Sequence, residues 1–272
     1  MITKAIIPAA GYGTRNLPVT KAVPKEMFPI SGRPVIDYVV QEAIGAGIKE
    51  ILIILSRSKT SIMDYFDRSM ELESFLTKHN KTYWLPKIAP PPVQIHYVRQ
   101  SEALGLGSAV HLASTFAAGD AFAVLLPDQV SLEQPSPLLP LISLYEKCRT
   151  SVVGLQVVPE ERLSHYGVAD IGGYSSSRTV QINRIVEKPK TNPPSNLVVM
   201  GRYIFTPAIF DYLNEINPGE GQEIQLTDAM NALCENEPIG GYLYHEKWYD
   251  TSIENDYLSI QRRAYRLKNK QK

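Results

Sequence analysis

Residues 5–15 read Ala5-Ile6-Ile7-Pro8-Ala9-Ala10-Gly11-Tyr12-Gly13-Thr14-Arg15, and the stretch runs on through Lys21 to Pro24-Lys25-Glu26. The apolar run Ala5-Ile6-Ile7 reads as a buried strand, and the glycines end it in a sharp turn. Gly11 and Gly13 let bare backbone N–H groups approach a ligand. Arg15, Lys21 and Lys25 add positive charge beside them. Such a turn holds a polyphosphate, each charge-assisted hydrogen bond contributing about 1.5–3 kcal/mol. It is not the loop that ends in Gly-Lys-Ser/Thr, since no such triplet follows the turn. Nor is it the dinucleotide fingerprint, because Asn16 stands where the third glycine belongs.

Outward from that strand, apolar runs alternate with helical patterns. Ala5–Ile7, Glu50–Leu55, Gln94–Val98 and Ala121–Leu126 read as strands. Val35, Val39 and Ala43 with Ile36, Val40 and Ile44 make one broad helical face, closed by Gly45 and Gly47. A further helix follows Gly107. This order predicts an α/β fold with a largely parallel sheet covered on both faces. Ligands of such sheets sit outside the carboxyl ends of the strands. The Gly11 loop, the Gly105 loop and Asp128 all fall there, which places them on one edge.

The second half is richer in strands: Ser151–Val158, Val180–Glu187 and Leu197–Phe205, with a hairpin tip near Ile171–Ser177. Helices are expected over Thr206–Glu215 and Gln225–Asn236, then a strand at Tyr242–His245. A last helix carries Ile253, Tyr257, Ile260, Ala264 and Leu267 on one stripe. Residues 68–93 form a polar, then proline-rich excursion, read as a helix plus a lid or interface segment.

The chain has 272 residues, 44% of them apolar, enough for one large domain with a substantial core. Its formal net charge is zero, which removes any global electrostatic case for nucleic acid or membrane binding. Cys148 and Cys234 lack metal spacing and read as buried apolar residues of a reducing compartment. No leader peptide or membrane span is evident, so a cytoplasmic location is expected. The basic Lys268–Lys272 reads as a solvated tail. His79, His96, His111, His165 and His245 form no cluster, and no nucleophile or acid–base dyad stands out. That absence fits phosphoryl-type chemistry, where positioning and charge neutralisation do most of the work.

The string IPAAGYGTRNLPVTKAVPKEMFPI, residues 7–30, resembles the nucleotide-binding signature of the sugar-nucleotide pyrophosphorylases, or nucleotidyltransferases. That pattern is Gly-x-Gly-Thr-Arg followed by Pro-Lys. The resemblance returns in Leu125-Leu126-Pro127-Asp128, Tyr166-Gly167-Val168, Glu187-Lys188-Pro189, SNLVVMGRYIF, GEGQEIQLTDAM (219–230) and Lys247-Trp248-Tyr249-Asp250-Thr251-Ser252. It spans nearly the whole chain. The long 68–98 excursion is closer to the uridylyl branch than to the shorter thymidylyl one.

The resemblance implies a Rossmann-like three-layer nucleotidyltransferase fold with a central mixed, mostly parallel sheet. It implies a single domain over 1–272, with 1–130 mainly nucleotide-binding and 131–272 mainly sugar-binding plus the C-terminal helix. Nucleotide-binding positions are then Ala9, Ala10, Gly11, Gly13, Thr14, Glu26, Gln100 and Gly105. The Gln100 amide can both donate and accept, as a uracil edge requires, and Gly105 lets the base come close. Sugar-binding positions are Gly167, Glu187, Val199 and Tyr203. Asp128 and Asp250 are the implied magnesium ligands, two carboxylates that phosphate oxygens and waters would complete. Arg15, Lys25, Asp128 and Lys188 are the implied catalytic residues. Thr227 and Asp228 read as structural.

The implied reaction is uridylyl transfer from UTP to α-D-glucose 1-phosphate with Mg2+, by direct in-line attack, in a homodimer or higher homo-oligomer. The same chemistry with dTTP or another sugar phosphate stays open, because uracil and thymine share the edge that Gln100 reads. So does a low-activity regulatory paralogue. Ser252 replaces the family's usual glycine, Ser108 its usual histidine, and Asn16 the third glycine.

Overall fold

The computed structural model describes residues 1–219 and 222–270, and the alternation read from the sequence is realised there. The first half runs β1 (Lys4–Ala9), β2 (Pro29–Ile30), β3 (Arg33–Pro34), α1 (Val35–Gly45), β4 (Glu50–Leu55), α2 (Thr60–Phe66), α3 (Met70–Lys78), α4 (Leu85–Ile88), β5 (Gln94–Arg99), α5 (Gly105–His111), α6 (Ser114–Ala117), β6 (Phe122–Leu125), β7 (Gln129–Ser131) and α7 (Leu138–Cys148). The second half runs β8 (Val152–Val157), β9 (Gly167–Tyr174), β10 (Thr179–Glu187), β11 (Leu197–Phe205), α8 (Ile209–Glu215), α9 (Leu226–Cys234), β12 (Ile239–Tyr244), β13 (Trp248–Asp250) and α10 (Glu254–Lys270). In the expected segment 219–230, Glu220 and Gly221 lie outside the described residues, as do Gln271 and Lys272 of the basic tail.

Among the described residues, nine strands form one sheet in the order β5-β4-β1-β6-β11-β8-β12-β10-β9. β1 pairs in parallel with β4 and β6, and β4 with β5. Beyond β6 the pairing changes. β11 runs antiparallel to β6 and β8, and β10 to β9 and β12, while β8 and β12 are parallel. The sheet is therefore mixed, as expected, but not mostly parallel: three of its parallel pairs lie in the first half, and β8 with β12 is the one beyond β6 among the described residues. A short link explains one of the antiparallel pairs, since β9 and β10 are joined by a tight turn and can pair only antiparallel.

Alternation along the strands fills both faces. Ala5 and Ile7 of β1 with Ile51 and Ile53 of β4 face α1, where Val35, Val39 and Val40 are buried against them. Ile6 of β1 with Leu52 and Ile54 of β4 face the opposite layer, with Val110, Ile209 and Met230. Each fully buried side chain of this size contributes about 1.5–3 kcal/mol. α1 ends at Gly45, and Gly47 follows at φ +87°, as its sequence position predicts. The excursion holds the expected helix, α3, and a second short one, α4, with Tyr83 and Trp84 exposed and Lys87 Nζ 4.2 Å from the Trp84 ring centre. The cysteines depart from expectation: Cys148 is exposed at the end of α7 and Cys234 is half-buried. Among the described residues, no helix is long and apolar enough to cross a membrane.

Candidate active site

Three chain turns leave the sheet at neighbouring carboxyl ends. β1 delivers Gly11, β5 delivers Gln100 and β6 delivers Asp128. Gly11 is exposed, and a Cβ built there would meet no atom within 4 Å. Gly13 sits at φ +69°, opening a 3-10 turn over Thr14–Asn16. Its carbonyl accepts a hydrogen bond from Thr20 Oγ1 at 2.8 Å, which closes the loop on itself. Ala9 and Ala10 are buried beneath it, while Thr14 and Arg15 are exposed. A further 3-10 turn, Lys25–Met27, follows Pro24 and carries Lys25 to Asp128. Lys25 Nζ lies 2.6 Å from Asp128 Oδ2.

Glu26 corrects the expectation. It is 1% exposed, and both its carboxylate oxygens accept hydrogen bonds from Lys59 Nζ at 2.8 Å. Its place is behind the loop, where this buried pair anchors the turn that presents Lys25. Lys59 was not legible as a site residue, because nothing in its local sequence marks a buried lysine.

Asp128 and Asp250 are brought together by the two short strands. β13 pairs antiparallel with β7, setting Asp250 opposite Gln129, and the Thr251 amide donates to the Asp128 carbonyl at 2.8 Å. Burial pushes the Asp128 carboxyl up, but the Lys25 charge and hydrogen bond outweigh it and hold it below the usual carboxylate range. Asp250 goes the other way. Burial and the neighbouring Asp128 charge hold it above that range, against the opposing hydrogen bonds of Ser252 and the charge of Arg15. Asp250 Oδ1 accepts from the Ser252 amide at 3.0 Å and hydroxyl at 2.5 Å, and Oδ2 from Tyr166 Oη at 3.1 Å. Arg15 Nη1 donates to Ser252 Oγ at 2.8 Å. Ser252, a departure from the family pattern, thus ties the phosphate turn to the second carboxylate.

The donor set fits a hard divalent ion. Two carboxylates repel each other here, and a lysine ammonium now offsets their charge. Among the described residues no cluster of three or more His, Cys, Asp or Glu could hold a metal, so phosphate oxygens and water would complete the shell. A pH effect follows from Asp250. Its folded pKa exceeds its unfolded value, so between the two the native chain binds more protons and stability falls as pH rises. Asp250→Asn removes that loss. In metal-free buffer the variant is expected to melt higher than the parent at pH 7, with the gain closing below about pH 4. Thermal melts across that range check it.

Gln100 is buried, and its Nε2 makes only long hydrogen bonds, 3.4 Å to the Gly105 carbonyl and 3.3 Å to Ser108 Oγ. Gly105 also has a neighbour within the chain. It sits at φ +93°, and a Cβ there would lie 2.7 Å from the Ile224 carbonyl oxygen. The space it frees is taken by the chain's own 222–225 segment, which also bonds Leu104 and Gly107 through the Ile224 backbone. Gly105→Ala is expected to cost about 1–3 kcal/mol through that strain, read as a lower melting temperature.

Gly167 and Glu187 pair across β9 and β10, and a Cβ at Gly167 would lie 3.4 Å from both Glu187 Oε2 and Thr227 Cγ2. Thr227 Oγ1 is buried with no hydrogen-bond partner among the described residues, a feature its motif reading as structural did not anticipate. Lys188, exposed at φ +43°, pairs with Glu187 Oε1 at 3.0 Å. Val199 and Tyr203 are buried on β11, either side of a break in its register with β8. Burial, with the Glu187 and Asp128 charges, pushes the Tyr203 phenol up.

A glycine turn with cations, facing paired carboxylates across the carboxyl edge of a three-layer α/β sheet, defines a protein that handles phosphorylated nucleotides. The profile of the nucleotidyl transferase family matches residues 4–266, and the chain belongs to that family. It is 48% identical over 261 residues to the UTP–glucose-1-phosphate uridylyltransferase of Bacillus subtilis strain 168, covering 95% of this chain and 89% of that one. A crystal structure of UDP-glucose pyrophosphorylase complexed with UDP-glucose superposes with a TM-score of 0.86 at 38% identity, covering 98% of this chain and 99% of that one. The UTP-bound enzyme from Acinetobacter baumannii gives 0.87 at 36% identity, covering 97% and 93%.

Proposed function

We propose that this chain transfers a uridylyl group from UTP to α-D-glucose 1-phosphate, giving UDP-glucose and pyrophosphate. The carrying observation is Lys25 bound to Asp128 at 2.6 Å, beside Asp250 and below the open Gly11 turn. The similarity to uridylyltransferases over nearly the full chain supports it. A phosphate oxygen of the sugar attacks the α-phosphorus of UTP in line, and the bond to the β-phosphate oxygen breaks. The attacking phosphate is already an anion, so no general base is required. Arg15 and Lys25 neutralise the β- and γ-phosphates and the leaving pyrophosphate. Gly11 and Gly13 offer backbone N–H groups, and Gln100 holds the base. Glu187, with Gly167, Val199 and Tyr203 around it, receives the sugar hydroxyls. Lys188 offsets repulsion between the two phosphates.

Asp128 and Asp250 would hold Mg2+, which when bound draws charge from the phosphates. Pyrophosphate release from UTP, glucose 1-phosphate and Mg2+ tests the reading. No release across several nucleotides and sugar phosphates would reject it. Competition between UTP and dTTP tests the base preference. A homo-oligomer in the cytoplasm belongs to the same proposal, and sedimentation of the purified chain tests the first part.

A further inference from the structure

We propose that Arg202 is a positioning residue that holds both carboxylate-bearing segments in register. The inference rests on the reading of Asp128 and Asp250 as metal ligands. Arg202 lies on β11 and is fully buried. Its five N–H donors are all used. Nε and Nη2 donate to the two Glu42 oxygens of α1 at 2.8 and 2.7 Å. Nη1 donates to the Leu126 carbonyl at 3.0 Å and the Gly201 carbonyl at 3.2 Å, and Nη2 to the Gln129 carbonyl at 2.8 Å.

Leu126 and Gln129 flank Asp128, so the guanidinium grips that loop on both sides. The guanidinium carbon also sits 4.8 Å from the centre of the Trp248 ring. Trp248 and Asp250 are the two ends of β13, so the same group braces the strand that carries the second carboxylate. Gly201 makes this approach possible. It lies at φ +57°, and a Cβ there would be 2.9 Å from Leu126 Cβ. The register break in β11 over the same residues turns the arginine into the layer beneath the loop. Arg202 reaches no solvent and touches no substrate position. Its effect passes through backbone carbonyls, which an ion pair serving stability alone would not need.

Isosteric apolar pairs often replace buried ion pairs without loss of stability. The double variant Glu42→Met/Arg202→Met therefore separates stability from positioning. Mn2+ serves as the probe, its affinity for the protein–UTP complex measured by water-proton relaxation, alongside kcat, KM and thermal melting. The double variant is expected to melt cooperatively while Mn2+ affinity and kcat each fall about 10- to 100-fold, as for other groups that orient metal ligands. KM for UTP changes little, and Arg202→Lys falls between variant and parent. Unchanged Mn2+ affinity and kcat in a folded variant would overturn the inference. Should the double variant fail to fold, Arg202→Lys, which keeps the charge opposite Glu42, decides by the same measurements. Asp128→Asn is the control. If it binds Mn2+ as the parent does, the two-carboxylate reading itself falls, and this inference with it.

Discussion

Asp128→Asn is expected to lower kcat by roughly 1000-fold or more, about 4 kcal/mol of transition-state stabilisation, while the chain still folds. The size follows from what Asp128 touches. It ends the loop after β6, takes Lys25 at 2.6 Å and lies beside Asp250. The asparagine keeps the shape and loses the charge that would bind a divalent ion and orient Lys25. Stability moves with a definite sign. The Asp128 carboxyl is held below its unfolded value, so it stabilises the fold above the ordinary carboxylate range, and that contribution is lost as pH falls through the folded pKa. Asp128→Asn should therefore melt lower than the parent at pH 7, whereas Asp250→Asn should melt higher. Two substitutions of the same chemistry, on carboxylates that face each other, shift stability in opposite directions and both lower kcat steeply. Pyrophosphate release and thermal melts in metal-free buffer check this. Melting shifts of equal sign, or turnover surviving in Asp128→Asn, would remove the first carboxylate from the mechanism.

Local periodicity carried the scaffold. Ile6 and Ile7 alternate across β1, and the stripe from Val35 to Ile44 makes α1, so these elements were readable within a few residues. Glu50–Leu55 and Leu197–Phe205 coincide with β4 and β11. The pieces of the site were readable as strings, because each sits where a strand ends. Their mutual placement was not, since Lys25 and Asp128 are separated by 103 residues and no period relates them. The buried pairs Glu26–Lys59 and Glu42–Arg202 were hidden for the same reason. A charged residue in an otherwise polar turn looks solvated until its partner is known. Glu26 was read as nucleotide-binding because the motif places it beside Lys25, while the fold turns it inward onto Lys59. Gly105 has a neighbour that its motif did not announce. A glycine at φ +93° signals that something comes close, and here the close neighbour is Ile224 of the same chain. The short β7 and β13 have three residues each, too few for alternation to register, yet they align Asp128 and Asp250. The second half mixes one parallel pair, β8 with β12, into antiparallel ones, and pairing between strands distant in the chain is not something composition reveals.

Lys25→Met is expected to lower kcat by about 100- to 1000-fold, the usual effect of removing one fixed donor from a developing anionic charge. Its second consequence is more diagnostic. Burial draws the Lys25 pKa down, but Asp128, Glu26 and Asp250 outweigh it and raise the pKa above the usual lysine value. The ammonium is therefore held charged between carboxylates and occupies the position of charge balance that a divalent ion would take. Methionine keeps much of the side-chain volume and supplies no charge. Asp128 and Asp250 then face each other with only Arg15 to offset them, the Asp128 pKa loses the lysine that held it down, the already raised Asp250 pKa goes higher, and stability falls as pH climbs through them. Mg2+ relieves that repulsion in the variant without first displacing a lysine. The melting temperature of Lys25→Met should thus lie below that of the parent in metal-free buffer, and should rise more steeply with added Mg2+. In the parent the ion competes with Nζ, and the rise is shallower until UTP draws Lys25 onto its phosphates. Melting curves against Mg2+ concentration, with and without UTP, read this directly. Parallel curves for the two proteins would mean that Lys25 and the ion do not contend for the same carboxylates, and Lys25 would then act on the nucleotide alone.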